Sequence, residues 1–421
     1  VEGAWNEDGK GPSNWDFFSH TYPAGKLSGG VNEAGIKYYN NFINELLANG
    51  LQPYVTLFHW DVPQALEKAY GGFLSPKIVN DFQDFANLCF ERFGDRVRHW
   101  ITLNEPWTLA VNGYDYGSIA PGRCSTWRNY NCTGGDSSTE PYMVTHYQIL
   151  AHAAASKLYR TKYKVDYKTR LILQKIYLSC NLALRLWMVP ASNSSWDIRA
   201  SLRAQDFFLG WYMDPLVFGD YSHLMKSLVG ARLPRFTAEQ SNLVKGSLDF
   251  LGLNYYTANY AAHVPNFNDG VNVSYTTDNR VNLTTSINGV PIGEKAGSDW
   301  LYVYPQGIKE TLLYIKEKYN NPIIYITENG IDEINNSSLT LKQALTDNFR
   351  IRYYSRHLVN VVEAIKEGVN VKGFFAWAIM DNFEWDMGYT SRFGLNYVDF
   401  TDGLKRYPKL SAKWMTNFLK K

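Results

Sequence analysis

Short apolar segments that are typical of buried strands alternate with helical patterns along most of this 421-residue chain. Strands that are apolar throughout are covered on both faces, and repeated strand–helix units predict a parallel sheet with right-handed crossovers. Five strands are predicted, at Gln52–Trp60, Val97–Leu103, Asp249–Thr257, Ile323–Thr327 and Val371–Ile379. A weaker pattern over Arg170–Ser179 indicates a sixth. No repeat period or low-complexity linker divides the chain, so residues 1–421 are predicted to form one α/β barrel domain.

Amphipathic helices separate these strands. They are predicted at Asn32–Ala48, from Ser75 to Gly94, at Gln306–Tyr319 and from Asp347 to Glu367. In the second of them, Ser75 is the predicted N-cap, Pro76 the first helical residue and Gly94 the stop. Residues 1–30 are rich in Gly, Asp, Asn and Pro and are predicted to be loop. An eight-stranded barrel requires more strands than this pattern supplies.

Two of the predicted strands end in a glutamate. Val97–Leu103 leads into Glu105, and Ile323–Thr327 leads into Glu328. A glutamate that closes a buried strand is costly unless it is paired or used, and catalytic groups of barrel enzymes lie where the strands end. Two carboxylates there are the groups that glycosidic bond cleavage requires. The sequence therefore predicts an enzyme that cleaves sugars.

Composition narrows the class of protein. The 42 basic and 40 acidic residues give a net charge of +2, so no broad basic field for nucleic acid is expected. The longest apolar stretch, Leu171–Pro190, contains Lys175 and Arg185, which argues against a membrane span. The chain begins at Val1 without the pattern of a signal peptide, which is expected to be absent or already removed. The 13 Trp, 30 Tyr and 22 Phe residues suit the faces of sugars, although most of these rings are expected to be core.

The cysteines and sequons give a modest indication of compartment. Cys124 and Cys132 lie eight residues apart in a polar loop, a separation that permits a small disulfide, whereas Cys89 is expected to be a buried thiol. Glycosylation sequons begin at Asn131, Asn193, Asn272, Asn282, Asn335 and Asn336. Because an Asn-rich chain forms sequons by chance, they favour a secretory origin only modestly.

Five motifs occur along the chain in a fixed order. They are Phe58-His59-Trp60-Asp61, Asn104-Glu105-Pro106-Trp107, Asn254-Tyr255-Tyr256, Ile326-Thr327-Glu328-Asn329-Gly330 and Asn382-Phe383-Glu384-Trp385. Together they resemble the retaining β-glucosidases of glycoside hydrolase family 1. The run Lys26–Asn32 and the loop around Ala120–Cys124 resemble the plant members, close to legume cyanogenic and isoflavonoid β-glucosidases. The resemblance implies a (β/α)8 TIM barrel that needs no cofactor or metal.

The resemblance also implies roles for individual residues. Glu105 matches the general acid/base and Glu328 the nucleophile, and retention requires their carboxyls to stand about 5 Å apart. The residues that match substrate contacts are His59, Asn104, Asn254, Tyr256, Trp300, Trp377, Glu384 and Trp385. Among them, Asn104 matches the contact to the sugar 2-hydroxyl and Tyr256 the tyrosine that hydrogen-bonds the nucleophile.

The other contacts are expected to divide between the sugar and the leaving group. His59, Glu384 and Trp385 match contacts to the sugar hydroxyls, Trp377 the ring beneath the sugar and Trp300 a wall of the aglycone pocket. Taken alone, without the other motifs, His59 and Trp377 would each be interpreted as ordinary core residues.

The chain departs from the family pattern near its beginning. Family members have a first strand just before the segment that matches Val1–Gly3. They also have a helix and a strand between segments like Thr21–Pro23 and Gly25–Leu27. Against the family pattern, the chain is predicted to lack the first strand. It is also predicted to lack the first helix and the second strand, through an internal deletion near residues 23–25. Such a barrel would leave strand edges unpaired, so poor folding and little activity are expected if nothing else completes it.

The resemblance favours a small-molecule substrate. Intact Glu384-Trp385 argues against phosphorylated sugars and Glu105 against thioglucosides, which leaves O-β-D-glucosides of plant secondary metabolites. The alternatives are a transglucosidase and a catalytically impaired β-glucoside-binding relative. The expected compartment is the secretory pathway, in the vacuole, the apoplast or plastid-type storage. The sequence leaves a homodimer open.

Overall fold

The computed structural model describes residues 30–128, 131–132, 134–163, 177–265 and 270–420, and only the backbone of 177–186. The predicted loop up to residue 29 and the predicted deletion at residues 23–25 lie outside the described residues. The expected first strand before Val1 stays a prediction.

Helices make up much of the described chain. The α-helices are α1 (Glu33–Ala48), α2 (Gln64–Tyr70), α3 (Lys77–Phe93), α4 (Pro106–Val111), α5 (Glu140–Leu158), α6 (Ser195–Gln205), α7 (Trp211–Phe218), α8 (His223–Val229), α9 (Ala238–Val244), α10 (Tyr275–Asp278), α11 (Gln306–Lys318), α12 (Leu341–Ala344), α13 (Asn348–Lys366) and α14 (Leu410–Leu419). Short 3-10 helices are Gly72–Leu74, Thr126–Arg128, Gly230–Arg232 and Trp385–Met387, and π-helical turns are Asn112–Tyr116, Tyr159–Tyr163 and Asp206–Gly210.

Strands occur between these helices. The longer ones are β1 (Tyr54–Phe58), β2 (His99–Asn104), β3 (Tyr177–Pro190), β4 (Phe250–His263), β5 (Val281–Thr284), β8 (Ile324–Asn329), β10 (Val371–Ala376), β12 (Asn396–Asp399) and β13 (Lys405–Pro408). The two-residue strands are β6 (Ser286–Ile287), β7 (Val290–Pro291), β9 (Glu333–Ile334) and β11 (Ser391–Arg392).

The contacts divide the chain into two compact units. The first comprises Val1–Ala183, Asp206–Gly252 and Phe267–Asn279, and the second Leu184–Gln205, Leu253–Asn266 and Arg280–Lys421. β3 and β4 each run from the first unit into the second.

In the first unit, β1, β2 and the beginning of β3 pair in parallel. Tyr54 lies opposite His99 and Phe58 opposite Leu103, and His99 lies opposite Tyr177. Helices α3 and α5 pack against each other. Aromatic rings fill the space between helix and strand, with Phe90 of α3 meeting the buried Trp100 of β2 edge-on at 5.1 Å.

In the second unit, β8 lies between β4 and β10, and β8 pairs with β10 in parallel. Strand β5 pairs with β4 antiparallel, with Tyr260 opposite Thr284. Helices α11 and α13 pack against each other. One apolar cluster in this unit contains Tyr256, Leu301, Val303, Ile331, Tyr353, Tyr354, Ala378 and Phe393, so the core lies directly beside the motif that contains Glu328.

The five predicted strands are confirmed as strands, with shifts at their ends. The sixth strand continues to Pro190 rather than ending at Ser179, so the predicted end is wrong, and its predicted beginning at residues 170–176 lies outside the described residues. The apolar run over 171–190 contains scattered polar residues, so its pattern does not define where the strand ends. None of the helices in the described residues is long and apolar enough to cross a bilayer.

The predicted helix starts are close to the observed ones. Asn32 caps α1, since its side chain accepts a hydrogen bond from the Gly35 amide at 3.1 Å. Helix α3 begins at Lys77, one residue later than predicted, with Pro76 at the N-cap. Ser75 still contributes, because its hydroxyl accepts from the Lys77 amide at 3.3 Å. Gly94 follows the last residue of α3 as predicted.

We expect acid to destabilise the protein through His152, which is buried on α5 and lies 2.8 Å from Thr102 Oγ1. Burial, with a smaller contribution from Arg160, lowers the pKa of His152 from 6.5 to about 4. Between these values the unfolded chain binds a proton that the folded chain does not, so the free energy of unfolding falls as the pH drops from 6.5 to 4. Each pKa unit corresponds to about 1.4 kcal/mol.

The measurement is urea unfolding at several pH values in this window. His152→Gln keeps a hydrogen-bonding side chain that does not titrate, so its unfolding free energy should decline less steeply with acid. His223→Gln, at an exposed position, is the matched control and should decline as the wild type does. Equal slopes in all three proteins would contradict the prediction.

Candidate active site

Glu105 occupies a sharp turn between a strand and a helix in the first unit. β2 ends at Asn104, and Pro106 begins α4. Glu105 adopts a left-handed backbone with φ 40°, a conformation that a residue other than glycine holds only when its surroundings impose it. Its side chain is 2% exposed, and Thr108, one helical turn later, donates a hydrogen bond from Oγ1 to Glu105 Oε2 at 2.9 Å. The turn thus holds a buried carboxylate in one orientation.

The predicted sugar contacts of the first unit lie beside this turn. Asn104 Nδ2 lies 2.9 Å from His59 Nε2, within hydrogen-bond distance. Trp60 donates from Nε1 to the Asn104 carbonyl at 2.9 Å. The structure therefore brings His59 and Asn104 together, although 45 residues separate them in the sequence. His59 is half-buried, unlike a fully enclosed core histidine.

The helix after Glu105 is held by further polar contacts. Trp107 donates from Nε1 to Tyr275 Oη at 2.6 Å, and Tyr275 donates to the Phe207 carbonyl at 2.5 Å. Farther along the chain, Cys124 and Cys132 form a disulfide with their Cα atoms 5.7 Å apart. The Trp107 contact thus ties α4 to another part of the first unit, and the disulfide closes the following loop on itself.

Glu328 lies on β8 in the second unit and is 8% exposed. Tyr256 of β4 donates a hydrogen bond from its hydroxyl to Glu328 Oε2 at 2.6 Å. A phenol that donates to a carboxylate oxygen favours the ionised form of that carboxylate. The pair joins two strands whose residues are 72 positions apart.

A second layer of hydrogen bonds supports Tyr256 and Glu328. Tyr353 of α13 donates to the Tyr256 carbonyl at 2.9 Å. Asn329 donates to Tyr353 Oη at 3.0 Å and to the Tyr255 carbonyl at 2.7 Å. Burial raises the pKa of Tyr353 well above its usual value, so this hydroxyl stays a neutral donor. The nucleophile candidate is therefore supported from strand and helix alike.

The remaining predicted contacts of the second unit differ in burial. The Trp300 ring meets the Tyr256 ring edge-on at 5.7 Å. Asn254 is fully buried, and its Oδ1 accepts from Thr327 Oγ1 at 2.8 Å. Trp377 is half-buried against the apolar cluster, where its amide donates to the Asn329 carbonyl at 2.8 Å. Asn254 thus links two strands, whereas Trp300 and Trp377 are only partly buried and pack against the apolar cluster.

Glu384 and Trp385 lie in the loop after β10, and both are half-buried. The Glu384 amide donates to the Gly388 carbonyl at 2.8 Å, which closes a tight turn. Trp385 adopts φ 46°, a strained conformation for a bulky residue. The turn therefore needs support from the residues at its base.

Sequence reasoning missed several residues that support the glutamates. They are Thr108, Thr327, Asn329 and Tyr353. The contact of Thr108 with Glu105 could have been predicted, because residues three apart on a helix are neighbours. No local signal indicates Tyr353, which lies 97 positions from Tyr256. In the part of the chain that the structure describes, no group of His, Cys, Asp and Glu could hold a metal ion.

Comparison with known proteins assigns the family. The model of glycosyl hydrolase family 1 matches residues 21–421. β-Glucosidase 12 from Oryza sativa is 53% identical over 465 positions, which cover 100% of this chain and 89% of that protein. The furostanol glycoside 26-O-β-glucosidase of Hellenia speciosa is 50% identical, over 100% of this chain and 80% of that protein. Because 465 positions exceed the 421 residues of this chain, these relatives contain stretches without a counterpart here.

Solved structures agree with this assignment. Two crystal structures of a rice β-glucosidase are 46% identical to this chain and cover 98% of it and 94% of their own chain. Their TM-scores are 0.90 and 0.91, and in one of them a mutant of the rice enzyme is in a covalent complex with Glc. The fold is the α/β TIM-barrel fold of these enzymes. The chain therefore belongs to glycosyl hydrolase family 1, among the plant-type β-glucosidases that hydrolyse glucosides.

Proposed function

We propose that Glu328 is the nucleophile and Glu105 the acid/base of a double displacement. Glu328 attacks the anomeric carbon while Glu105 donates a proton to the departing glycosidic oxygen, and a covalent glucosyl–enzyme forms. Glu105, now ionised, takes a proton from water, which attacks the same carbon and releases both the sugar and Glu328. Glucose leaves with the stereochemistry it had in the substrate.

The hydrogen bond from Tyr256 to Glu328 is the observation that supports this assignment most. The donor lies 2.6 Å from Oε2, so it orients the carboxylate. Glu105 has a different environment, with a threonine hydroxyl on Oε2 at 2.9 Å. Two buried carboxylates with different donors are suited to different roles.

We assign the sugar contacts by chemistry and family pattern. The proposed contacts are His59, Asn104, Asn254, Tyr256, Trp300, Trp377, Glu384 and Trp385. The partly buried aromatic rings of Trp300 and Trp377 suit the C–H faces of the aglycone and the sugar. The hydrogen bond between Asn254 and Thr327 supports a role in positioning strands, and direct contact with the sugar is secondary for this residue.

The substrate class follows from the charge of the loop contacts. A carboxylate at Glu384 repels a sugar phosphate, so we propose unphosphorylated O-β-D-glucosides. One relative is named for a furostanol glycoside, which supports glucosides of plant secondary metabolites. A single family model matches residues 21–421, and this supports one glycosidase domain.

We propose that the protein works in the secretory pathway, with the vacuole, the apoplast or plastid-type storage as destination. The disulfide between Cys124 and Cys132 supports an oxidising compartment. The first residues of the six sequons are all exposed: Asn131, Asn193, Asn272, Asn282, Asn335 and Asn336. A homodimer and the lack of nucleic-acid partners stay predictions.

Azide should distinguish the roles of the two glutamates. In Glu328→Ala, azide can enter from the face that the carboxylate leaves, so an activated aryl β-glucoside should yield α-glucosyl azide. In Glu105→Ala, the glucosyl–enzyme still forms from a substrate with a good leaving group, and azide should then give β-glucosyl azide. Product stereochemistry by NMR is the measurement.

The dependence of the rate on the leaving group of the substrate provides a second test of the two roles. Glu105→Ala should lose most of its kcat/KM on alkyl glucosides but retain much of the kcat/KM on a dinitrophenyl glucoside, because dinitrophenolate leaves without a proton and kcat/KM reports only the first step. Glu328→Ala should lose activity on both by more than about 1,000-fold. The same azide anomer from both variants would show that the roles are wrongly assigned.

Removal of the Tyr256 hydroxyl should slow the reaction without unfolding the protein. Hydrogen bonds to charged groups contribute about 1.5–3 kcal/mol, so Tyr256→Phe should reduce kcat/KM by about 10- to 100-fold. The matched control is Tyr255→Phe, which removes a hydroxyl that donates to the Tyr304 carbonyl at 2.7 Å. Similar kinetics for the two variants would refute a role of Tyr256 at the nucleophile.

Glycosylation tests the proposed compartment. Protein secreted from a eukaryotic host should lose mass when it is treated with an N-glycosidase. The N-glycosidase should also convert the modified Asn to Asp at one or more sequons. Protein made in the bacterial cytoplasm is the control without glycans. Active secreted protein of unchanged mass would contradict glycosylation.

A further inference from the structure

One buried carboxylate closes the base of the loop that carries Glu384 and Trp385. Asp381 precedes this loop and is 4% exposed. Its Oδ1 accepts from the Gly394 amide at 2.9 Å and Lys409 Nζ at 3.1 Å, and its Oδ2 from Arg392 Nη1 at 2.6 Å and the Val398 amide at 3.2 Å. Because Gly394 and Val398 follow the loop, one side chain joins its two ends.

The same network reaches the segment just after Glu328. Arg350 of α13 is fully buried and donates to the Ile331 carbonyl at 3.2 Å and the Arg392 carbonyl at 2.9 Å. Arg350 also pairs with Glu333 at 2.9 Å. The base of the loop is thus connected, through Arg392 and Arg350, to residues that continue the strand of the nucleophile.

The network balances its charges. Its cations are Arg350, Arg392 and Lys409, and its carboxylates are Glu333, Asp347 and Asp381. Burial, together with Arg350, lowers the pKa of Lys409 to about 8, whereas Asp381 and Glu333 raise it. Buried ions are tolerated only when their partners are in place, so loss of Asp381 leaves its two cations without their shared partner.

We propose that Asp381 is a positioning residue that sets the place of Glu384 and Trp385, and with it the discrimination between sugars that differ in the configuration of a hydroxyl. The inference rests on the proposed function, in which Glu384 contacts the sugar. Two observations carry it: the four donors on Asp381 and the strained backbone of Trp385, φ 46°. A strained turn keeps its shape only while its base is held.

A double-mutant cycle between Asp381→Asn and Glu384→Gln tests this. The measurements are kcat/KM for 4-nitrophenyl β-D-glucoside and for the β-D-galactoside, its 4-epimer. Asp381→Asn alone should lower kcat/KM for the glucoside by about 10-fold or more, mainly through KM, and shift the glucoside-to-galactoside ratio. In the Glu384→Gln background, Asp381→Asn should lower kcat/KM for the glucoside by less than about 3-fold.

If Asp381→Asn lowers kcat/KM by the same factor in the wild-type and the Glu384→Gln proteins, the inference is overturned, because Asp381 then acts independently of Glu384. A Glu384→Gln variant with wild-type kinetics on both substrates would instead refute the proposed sugar contact. Asp278→Asn is the matched control, since Asp278 is 5% exposed and paired with Arg232 at 2.7 Å in the first unit. This variant should lower Tm but leave the substrate ratio unchanged.

Lys409→Met provides a milder test if Asp381→Asn fails to fold. It removes one of the four donors to Asp381 and leaves Arg392 paired. In a double-mutant cycle of Lys409→Met with Glu384→Gln, the effects of the two substitutions on kcat/KM should again be non-additive. A lowered Tm with an unchanged substrate ratio would show that the network only stabilises the fold.

Discussion

A carboxylate removed from water must be supplied with donors by the protein, and this constraint organises the structure around the candidate active site. Glu328 receives the Tyr256 hydroxyl at 2.6 Å, Glu105 receives Thr108 at 2.9 Å, and Asp381 receives four donors. The donors come from strands, helices and loops in different parts of the chain, so satisfying these charges also determines how these segments meet.

Two of the residues with a left-handed backbone lie where the chemistry is proposed. Glu105 and Trp385 both adopt left-handed conformations, with φ 40° and 46°. Such conformations persist only when the surroundings over-determine them. At Glu105 the turn is held between β2 and α4, and at Trp385 it is held by the ionic network at the loop base. The same contacts that stabilise the fold therefore place functional side chains.

Much of the fold could be predicted from local patterns. The five apolar strands and the N-cap of α1 at Asn32 required only periodicity and capping rules. The end of β3 at Pro190 could not be predicted, because scattered polar residues interrupt its apolar run. Tyr353 could not be predicted either, since it reaches the Tyr256 carbonyl from 97 positions away. Local sequence patterns do not indicate which distant segments will contact each other.

The sequence by itself determined that two glutamates close buried strands and which motifs accompany them, because residue type and periodicity are properties of the chain. Only the tertiary structure decided which groups support those glutamates. The Tyr256–Glu328 bond, the Asn329–Tyr353 contact and the network around Asp381 all join segments far apart in sequence. Their partners are selected by packing, which brings specific donors to each buried charge once the elements have assembled.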